Sequence, residues 1–216
     1  MRRRGARVEA QRIVWQAASL GLSYPDRELL DRADLLRQAL VQSAPDAVDK
    51  FTELIEGWQR EPLSQLQADY VELFDLSRKQ TLYLSYWTDG DTRRRGQVLA
   101  EVKQHYRRSG LLVNLRGELP DYLPVVLEYA AMVGPKDGID LLQGYRASLE
   151  LIRLSLAERS AAYSAVLQAV CETLPGVSPA DRQAALAMAR SGPPREAVGL
   201  DPYDPRLLPF VESATR

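Results

Sequence analysis

Apolar residues return every third or fourth position along nearly the whole 216-residue chain, the spacing that gives a helix one buried stripe. Val8, Ile13, Val14, Ala17 and Ala18 mark a first face that ends near Gly21 and Pro25. Asp26 can cap a second helix carrying Leu29, Leu30, Ala33, Leu36 and Leu40, because its carboxylate accepts the free amides of a first turn. Pro45 and Asp46 open a third with the stripe Val48, Phe51, Leu54, Ile55 and Trp58, and Ser64 opens a shorter one through Leu66, Tyr70, Leu73 and Phe74. Pro120-Asp121 predicts a further start, with Leu123, Val126, Leu127 and Ala130 inward and Pro124 tolerated in the first turn. Residues 137–174 read as a long leucine-rich helical stretch broken near 158–162, and 181–190 as a last short helix. The pattern predicts an all-α, single-domain bundle of about eight to ten helices over residues 1–190. Six prolines and glycines among residues 191–205 predict that 191–216 is a mobile tail.

One segment departs from that rhythm. Between Tyr70 and Trp87 lie Phe74, Tyr83 and Tyr86, and residues 81–87 form a solid run, Thr-Leu-Tyr-Leu-Ser-Tyr-Trp, in place of a stripe. Its strand propensity is high, but no second strand of similar strength exists to pair with it. An extended or irregularly helical loop near 76–90 is the expectation. A helix follows to Ser109, with Asp91 as its N-cap and Val98, Leu99, Val102 and Tyr106 inward. Arg93, Arg94 and Arg95 crowd its first turn, where the helix dipole disfavours cations, and Gly96 costs about 1 kcal/mol relative to alanine. Four unfavourable residues together point to selection by something other than the helix, with an ordinary solvated basic turn as the plain alternative.

The composition removes most chemistry. His105 is the only histidine and Cys171 the only cysteine, so no disulfide can close within the chain and no His/Cys zinc set can form. His105 reads as a surface or half-buried helical residue and Cys171 as a buried, inert thiol in a reduced compartment. No Gly-x-x-x-x-Gly-Lys loop, no strand-borne Gly-x-Gly-x-x-Gly and no nucleophile elbow is present. The 28 basic and 29 acidic residues nearly cancel, which argues against broad nucleic-acid binding. Arg2, Arg3 and Arg4 tempt an export-signal reading, but Glu9, Gln11 and Arg12 interrupt the apolar run that would have to come next. No segment approaches a membrane span. The expectation is a cytoplasmic protein that is not an enzyme and carries no cofactor.

Binding is the better reading. Tyr70, Leu73 and Phe74 share one helix face, with Phe74 assigned to the core, and Glu118, Asp121 and Glu128 place carboxylates around the Pro120 helix. An acidic, aromatic groove between these elements suits an amphipathic helix from a partner. The competing readings are a helical DNA-binding transcriptional regulator, prompted by the arginine runs, and a carboxylate-only small-molecule enzyme.

Four segments, in order, carry a family resemblance. They are Leu22-Ser-Tyr-Pro-Asp26, Tyr70-Val-Glu-Leu-Phe-Asp75, Gly90-Asp-Thr-Arg-Arg-Arg-Gly96 and the run from Glu118-Leu-Pro-Asp-Tyr to Ala130. The chain resembles the nitrate reductase assembly chaperones of the NarJ, or delta subunit, type, within the TorD/DmsD-like superfamily, over roughly residues 8–175. The resemblance implies a system-specific chaperone that binds the apo catalytic (alpha) subunit of respiratory nitrate reductase, chiefly its N-terminal segment. Such a chaperone keeps its client competent for molybdenum cofactor insertion and membrane assembly, without inserting into the membrane itself. Molybdenum cofactor insertion proteins are further implied partners. The family's Tyr-x-x-Leu-Phe element falls on Tyr70, Leu73 and Phe74, and its Leu-Pro-Asp-His element on Leu119, Pro120, Asp121 and Tyr122. Tyr122 and Asp89 stand where the family commonly has histidines, which favours shape and hydrogen bonding over imidazole chemistry. The expected client-contact set is Tyr70, Leu73, Tyr83, Tyr86, Trp87, Asp89, Arg93, Arg94, Pro120, Asp121, Tyr122 and Glu128.

Overall fold

The computed structural model describes residues 2–77, 79–90, 93–115 and 117–191. The expected tail from 192 onward and the expected N-cap Asp91 lie outside the described residues. Among the described residues there are twelve α-helices and no strand, and the expectation of an all-α bundle holds.

Helix α1 (Arg2–Gly21) is the axis on which the others assemble. Trp15, Ala17 and Ala18 on it are fully buried, and it packs on α3 (Ala33–Ser43), α8 (Leu123–Met132) and α11 (Ala161–Thr173). Polar atoms on this buried stripe still need partners. The Trp15 indole donates to Thr173 Oγ1 at 2.8 Å and Gln11 donates to the Thr173 carbonyl at 2.8 Å, so α1 satisfies the end of α11.

Asp26 caps α2 (Arg27–Asp31) as expected, its Oδ1 accepting from the Leu29 amide at 2.8 Å. The chain breaks at Arg32, so the single helix expected there is two. A 3₁₀ turn, Pro45–Ala47, leads into α4 (Val48–Arg60), whose Phe51, Leu54, Ile55 and Trp58 are all buried. Helix α5 (Leu63–Tyr70) then runs into a π-turn, Val71–Asp75. Such π-turns are rare and gather at functional sites.

The irregular region holds a short helix, α6 (Leu84–Asp89), followed by α7 (Arg93–Arg108). His105 is half-buried against Tyr129, ring to ring at 5.7 Å. The leucine-rich stretch is α9 (Pro135–Gly144), α10 (Arg146–Ala157) and α11, with the break before Ala161 as expected and a second, unexpected one at Tyr145. Gly138 explains how α9 lies so close: a Cβ there would come within 2.7 Å of the Ala130 carbonyl and 2.9 Å of the Trp15 ring. The last helix is α12 (Arg182–Ser191), opened by Asp181, whose Oδ1 accepts from the Ala184 amide at 2.8 Å. Cys171 is fully buried, and that burial pushes its thiol far above the ordinary range.

A buried ionic cluster fixes the α11–α12 connection. Glu150, with no exposed surface, takes Arg146 at 2.9 Å and Arg153 at 2.7 Å. The two guanidiniums then donate to the Pro175 and Pro179 carbonyls, and Ser178 donates to Glu150 at 2.6 Å. Glu150 thereby has the paired and hydrogen-bonded surroundings that a buried charge needs.

Candidate functional site

Pro120-Asp121 does not start a helix. Pro120 and Asp121 form a turn, closed by the Tyr122 amide donating to the Leu119 carbonyl at 3.0 Å, and Tyr122 then forms an isolated antiparallel bridge with Tyr83. The Leu84 amide donates to the Asp121 carbonyl at 3.1 Å and the Leu123 amide to the Leu82 carbonyl at 2.9 Å. Tyr122, at φ −65° and ψ 119°, is the N-cap residue of α8. The strand propensity of 81–87 finds its partner here, in a segment of one bridge. Pro124 sits in the first turn of α8, as expected.

This bridge joins two loops across a cleft of about 250 Å³ lined by Tyr24, Tyr70, Phe74, Asp75, Thr81, Leu82, Tyr83, Glu118 and Tyr122. The π-turn delivers Phe74 and Asp75, the bridge delivers Tyr83 and Tyr122, and the loop before α8 delivers Glu118. Tyr70 is buried; its hydroxyl donates to the Leu22 carbonyl at 2.9 Å and meets the Tyr122 hydroxyl at 2.9 Å. Tyr24 stands edge-on to the Tyr70 ring at 5.4 Å, and Phe74 lies 4.7 Å from that ring. The Tyr83 hydroxyl donates to Glu118 at 2.6 Å. Exposed Leu76 and Leu119 come directly after the lining residues Asp75 and Glu118.

The electrostatics of the cleft favour a cation. The Asp75 carboxyl is raised above the usual carboxylate range, first by desolvation and then by the nearby charge of Glu118. Desolvation, then the hydrogen bond to Glu118, lifts the Tyr83 hydroxyl above its ordinary value, and desolvation does the same for Tyr70 and Tyr122. These tyrosines are neutral hydrogen-bonding surfaces, not nucleophiles. Among the described residues, no basic side chain lies within ion-pair distance of Asp75 or Glu118. The volume falls short of the roughly 300 Å³ at which small-molecule pockets begin. It suits one long side chain presented by a larger partner.

The expected contact residues divide into three groups. Tyr70, Tyr83 and Tyr122 line the cleft. Tyr86, Trp87, Asp89 and Arg94 form a neighbouring rim: Arg94 pairs with Asp89 at 3.1 Å, and the Arg95 guanidinium lies 5.9 Å from the rings of both Tyr83 and Tyr86. The side chain of Arg93 lies outside the described residues. Leu73, Pro120 and Asp121 are interior. Leu73 belongs to the core, and the Pro120 carbonyl accepts from the Tyr106 hydroxyl at 2.8 Å. Asp121, expected among the client contacts, has no exposed surface; its Oδ2 accepts from the Ser85 amide at 2.9 Å and hydroxyl at 2.6 Å, which ties α6 to the bridge. Glu128 is half-buried on α8 and outside the cleft lining. The acids at the cleft are Asp75 and Glu118. Each closes or opens one of the resembling segments, but their convergence depends on the π-turn and the bridge, which no local spacing announces.

Among the described residues no helix is long and apolar enough to cross a membrane, and no three His, Cys, Asp or Glu side chains gather as metal ligands. The fold is shared with a crystal structure described as a putative redox enzyme maturation protein, from Archaeoglobus fulgidus, which superposes with a TM-score of 0.57 at 23% identity, covering 74% of this chain and 91% of the other. Residues 37–168 match the nitrate reductase delta subunit family, and the chain belongs to that family. It is 29% identical over 171 residues to the probable nitrate reductase molybdenum cofactor assembly chaperone NarJ of Bacillus subtilis, covering 77% of this chain and 91% of that protein. With NarJ of Escherichia coli K12 it shares 33% over 147 residues, 66% of this chain and 61% of the relative. With the nitrate reductase-like protein NarX of Mycobacterium tuberculosis it shares 40% over 161 residues, 74% of this chain but 24% of that longer protein. The chain thus spans about a quarter of the length of the mycobacterial relative.

Proposed function

We propose that this chain is a nitrate reductase assembly chaperone that holds the apo catalytic subunit by its N-terminal segment. A basic residue of that segment enters the cleft between Asp75 and Glu118, while flanking apolar residues lie on Tyr24, Leu76, Leu119 and the Tyr86–Trp87 rim. The observation that carries the reading is two carboxylates in an aromatic cleft without a described cationic partner. Relatives named as nitrate reductase molybdenum cofactor assembly chaperones support the choice of client. Holding that segment keeps the subunit open to cofactor insertion and away from the membrane, so the work belongs to the cytoplasm and requires no catalysis by the chaperone.

Release matters as much as capture, which places the affinity between micromolar and nanomolar, about −8 to −12 kcal/mol. Isothermal titration with a peptide from the N-terminus of the catalytic subunit is the test. Binding in that range is expected, and Asp75→Asn with Glu118→Gln should weaken it about tenfold, the equivalent of roughly 1.4 kcal/mol. No heat at tens of micromolar peptide, or equal affinity for the double variant, rejects the cleft as the client site.

A further inference from the structure

The C-terminal end of α7 carries a patch that the cleft does not use. Lys103, Arg107 and Arg108 are exposed there, with Lys103 and Arg107 one turn apart on the solvent side of the helix. The sequence holds no Asp or Glu between Glu101 and Glu118. Among the described residues, no carboxylate pairs with any of the three cations. The helix stops before Gly110, at φ +73°, and the next two residues are Leu111, 36% exposed, and Leu112, fully exposed. Cations suit the negative end of a helix, which accounts for the arginines but not for two leucines in water.

The tip is held in place. Tyr106 is buried, with its hydroxyl donating to the Pro120 carbonyl at 2.8 Å. The Ser109 hydroxyl donates to the Tyr106 carbonyl at 2.7 Å and accepts from the Leu111 amide at 3.2 Å. Val113 and Leu115 pack against the core, so the loop buries its later apolar residues and leaves Leu112 outside. None of these exposed residues lines the cleft.

We propose that Lys103, Arg107, Arg108, Leu111 and Leu112 form a peripheral docking surface for an anionic lipid bilayer. Leu112 protrudes and lines no groove, so a peptide has no slot to fill, whereas a headgroup layer admits a small apolar tip flanked by cations. A second copy of the chain would set the same cations against one another in a two-fold contact. A duplex would attract the cations and leave the leucines in water. Each cation near an anionic surface is worth about fivefold in partitioning, so three supply about a hundredfold. Burying Leu112 adds about ten- to a hundredfold. Only a loop tip enters the bilayer, and a client segment stays in the cleft.

Cosedimentation of the full chain with vesicles is the test. Binding is expected to vesicles of equal parts phosphatidylcholine and phosphatidylglycerol, weakening as salt rises, with none to phosphatidylcholine alone. Combining Lys103→Gln, Arg107→Gln and Arg108→Gln should weaken it about a hundredfold, and Leu112→Ser about tenfold or more. These side chains are exposed, so circular dichroism should not change in either variant. Cys171 is buried with its thiol raised, so an environment-sensitive fluorophore labels only a cysteine introduced by Leu112→Cys. Its emission should shift to the blue on the anionic vesicles alone. No binding, equal binding to neutral vesicles, undiminished binding by either variant or unshifted emission overturns the proposal. Equally tight binding to polyglutamate or duplex DNA overturns it too, because the partner is then any polyanion. The proposal goes beyond the client reading: peptide titration can fail while lipid binding stands, and the reverse.

Discussion

Asp75 and Asp121 are both acids of the resembling segments, and the fold uses them in opposite ways. Asp121 is sealed inside and holds the Ser85 amide and hydroxyl. Asp121→Ala strands two buried donors, so it should cost about 2–3 kcal/mol in chemical denaturation. Asp75 is exposed on one side, and its charge is disfavoured there by desolvation and by Glu118. A carboxyl whose folded pKa lies above its unfolded value opposes folding once ionised. The cost is absent below the unfolded pKa and complete above the folded one. Asp75→Asn should therefore stabilise the chain slightly at pH 7, by no more than about 0.5 kcal/mol given solvent screening. The gain should vanish as pH falls through the carboxylate range, and thermal melts at pH 7 and pH 4 check the sign. If Asp75→Asn also weakens peptide binding, as proposed above, Asp75 is kept for binding at a cost in stability.

At the scale of elements, periodicity reveals nearly every helix because each buries a stripe, and Val48, Phe51, Leu54, Ile55 and Trp58 show this plainly. It misses the break at Tyr145, since the apolar spacing continues through it from Leu142 to Leu149. It also misreads Pro120-Asp121, a pair with good helix-start chemistry. The pair forms a turn instead, and the Leu84-to-Asp121 and Leu123-to-Leu82 backbone bonds, from partners nearly forty positions away, delay the helix start to Leu123. Local signals cannot report such a bond. The Glu150 cluster is invisible for a similar reason: an i, i+4 pair with Arg146 looks like any surface pair until Ser178 and the Pro175 and Pro179 carbonyls close over it. Glu150→Gln should leave Arg146 and Arg153 buried without a counter-charge and cost about 3–5 kcal/mol. Hydrogen exchange and proteolysis should then rise selectively across residues 175–181, the segment the cluster holds.

Over the whole molecule, the site is built where the fold is thinnest. The interior shared by α1, α8, α11 and α4 is continuous, with Trp15, Phe51, Leu127 and Val170 fully buried. The cleft side rests on less: α7 reaches the core through Val102, Tyr106 and the His105 contact with Tyr129, and α6 is only six residues long. Regions with few buried apolar contacts open at lower free energy than the global transition. Helices α6 and α7 should thus exchange amide hydrogens before α1 and α11 do, and α6 should open together with the start of α8, because the Tyr83–Tyr122 bridge and the Ser85–Asp121 bonds tie the two. If a client segment binds in the cleft as proposed, it touches both sides of that bridge and opposes the opening. Saturating peptide should slow exchange at Leu84 and Leu123, the two bridge amides, at least about tenfold, with no change along α11. Equal slowing throughout would instead mean that the bundle opens only globally, and that the client site has no separate mobility through which to capture and release its partner.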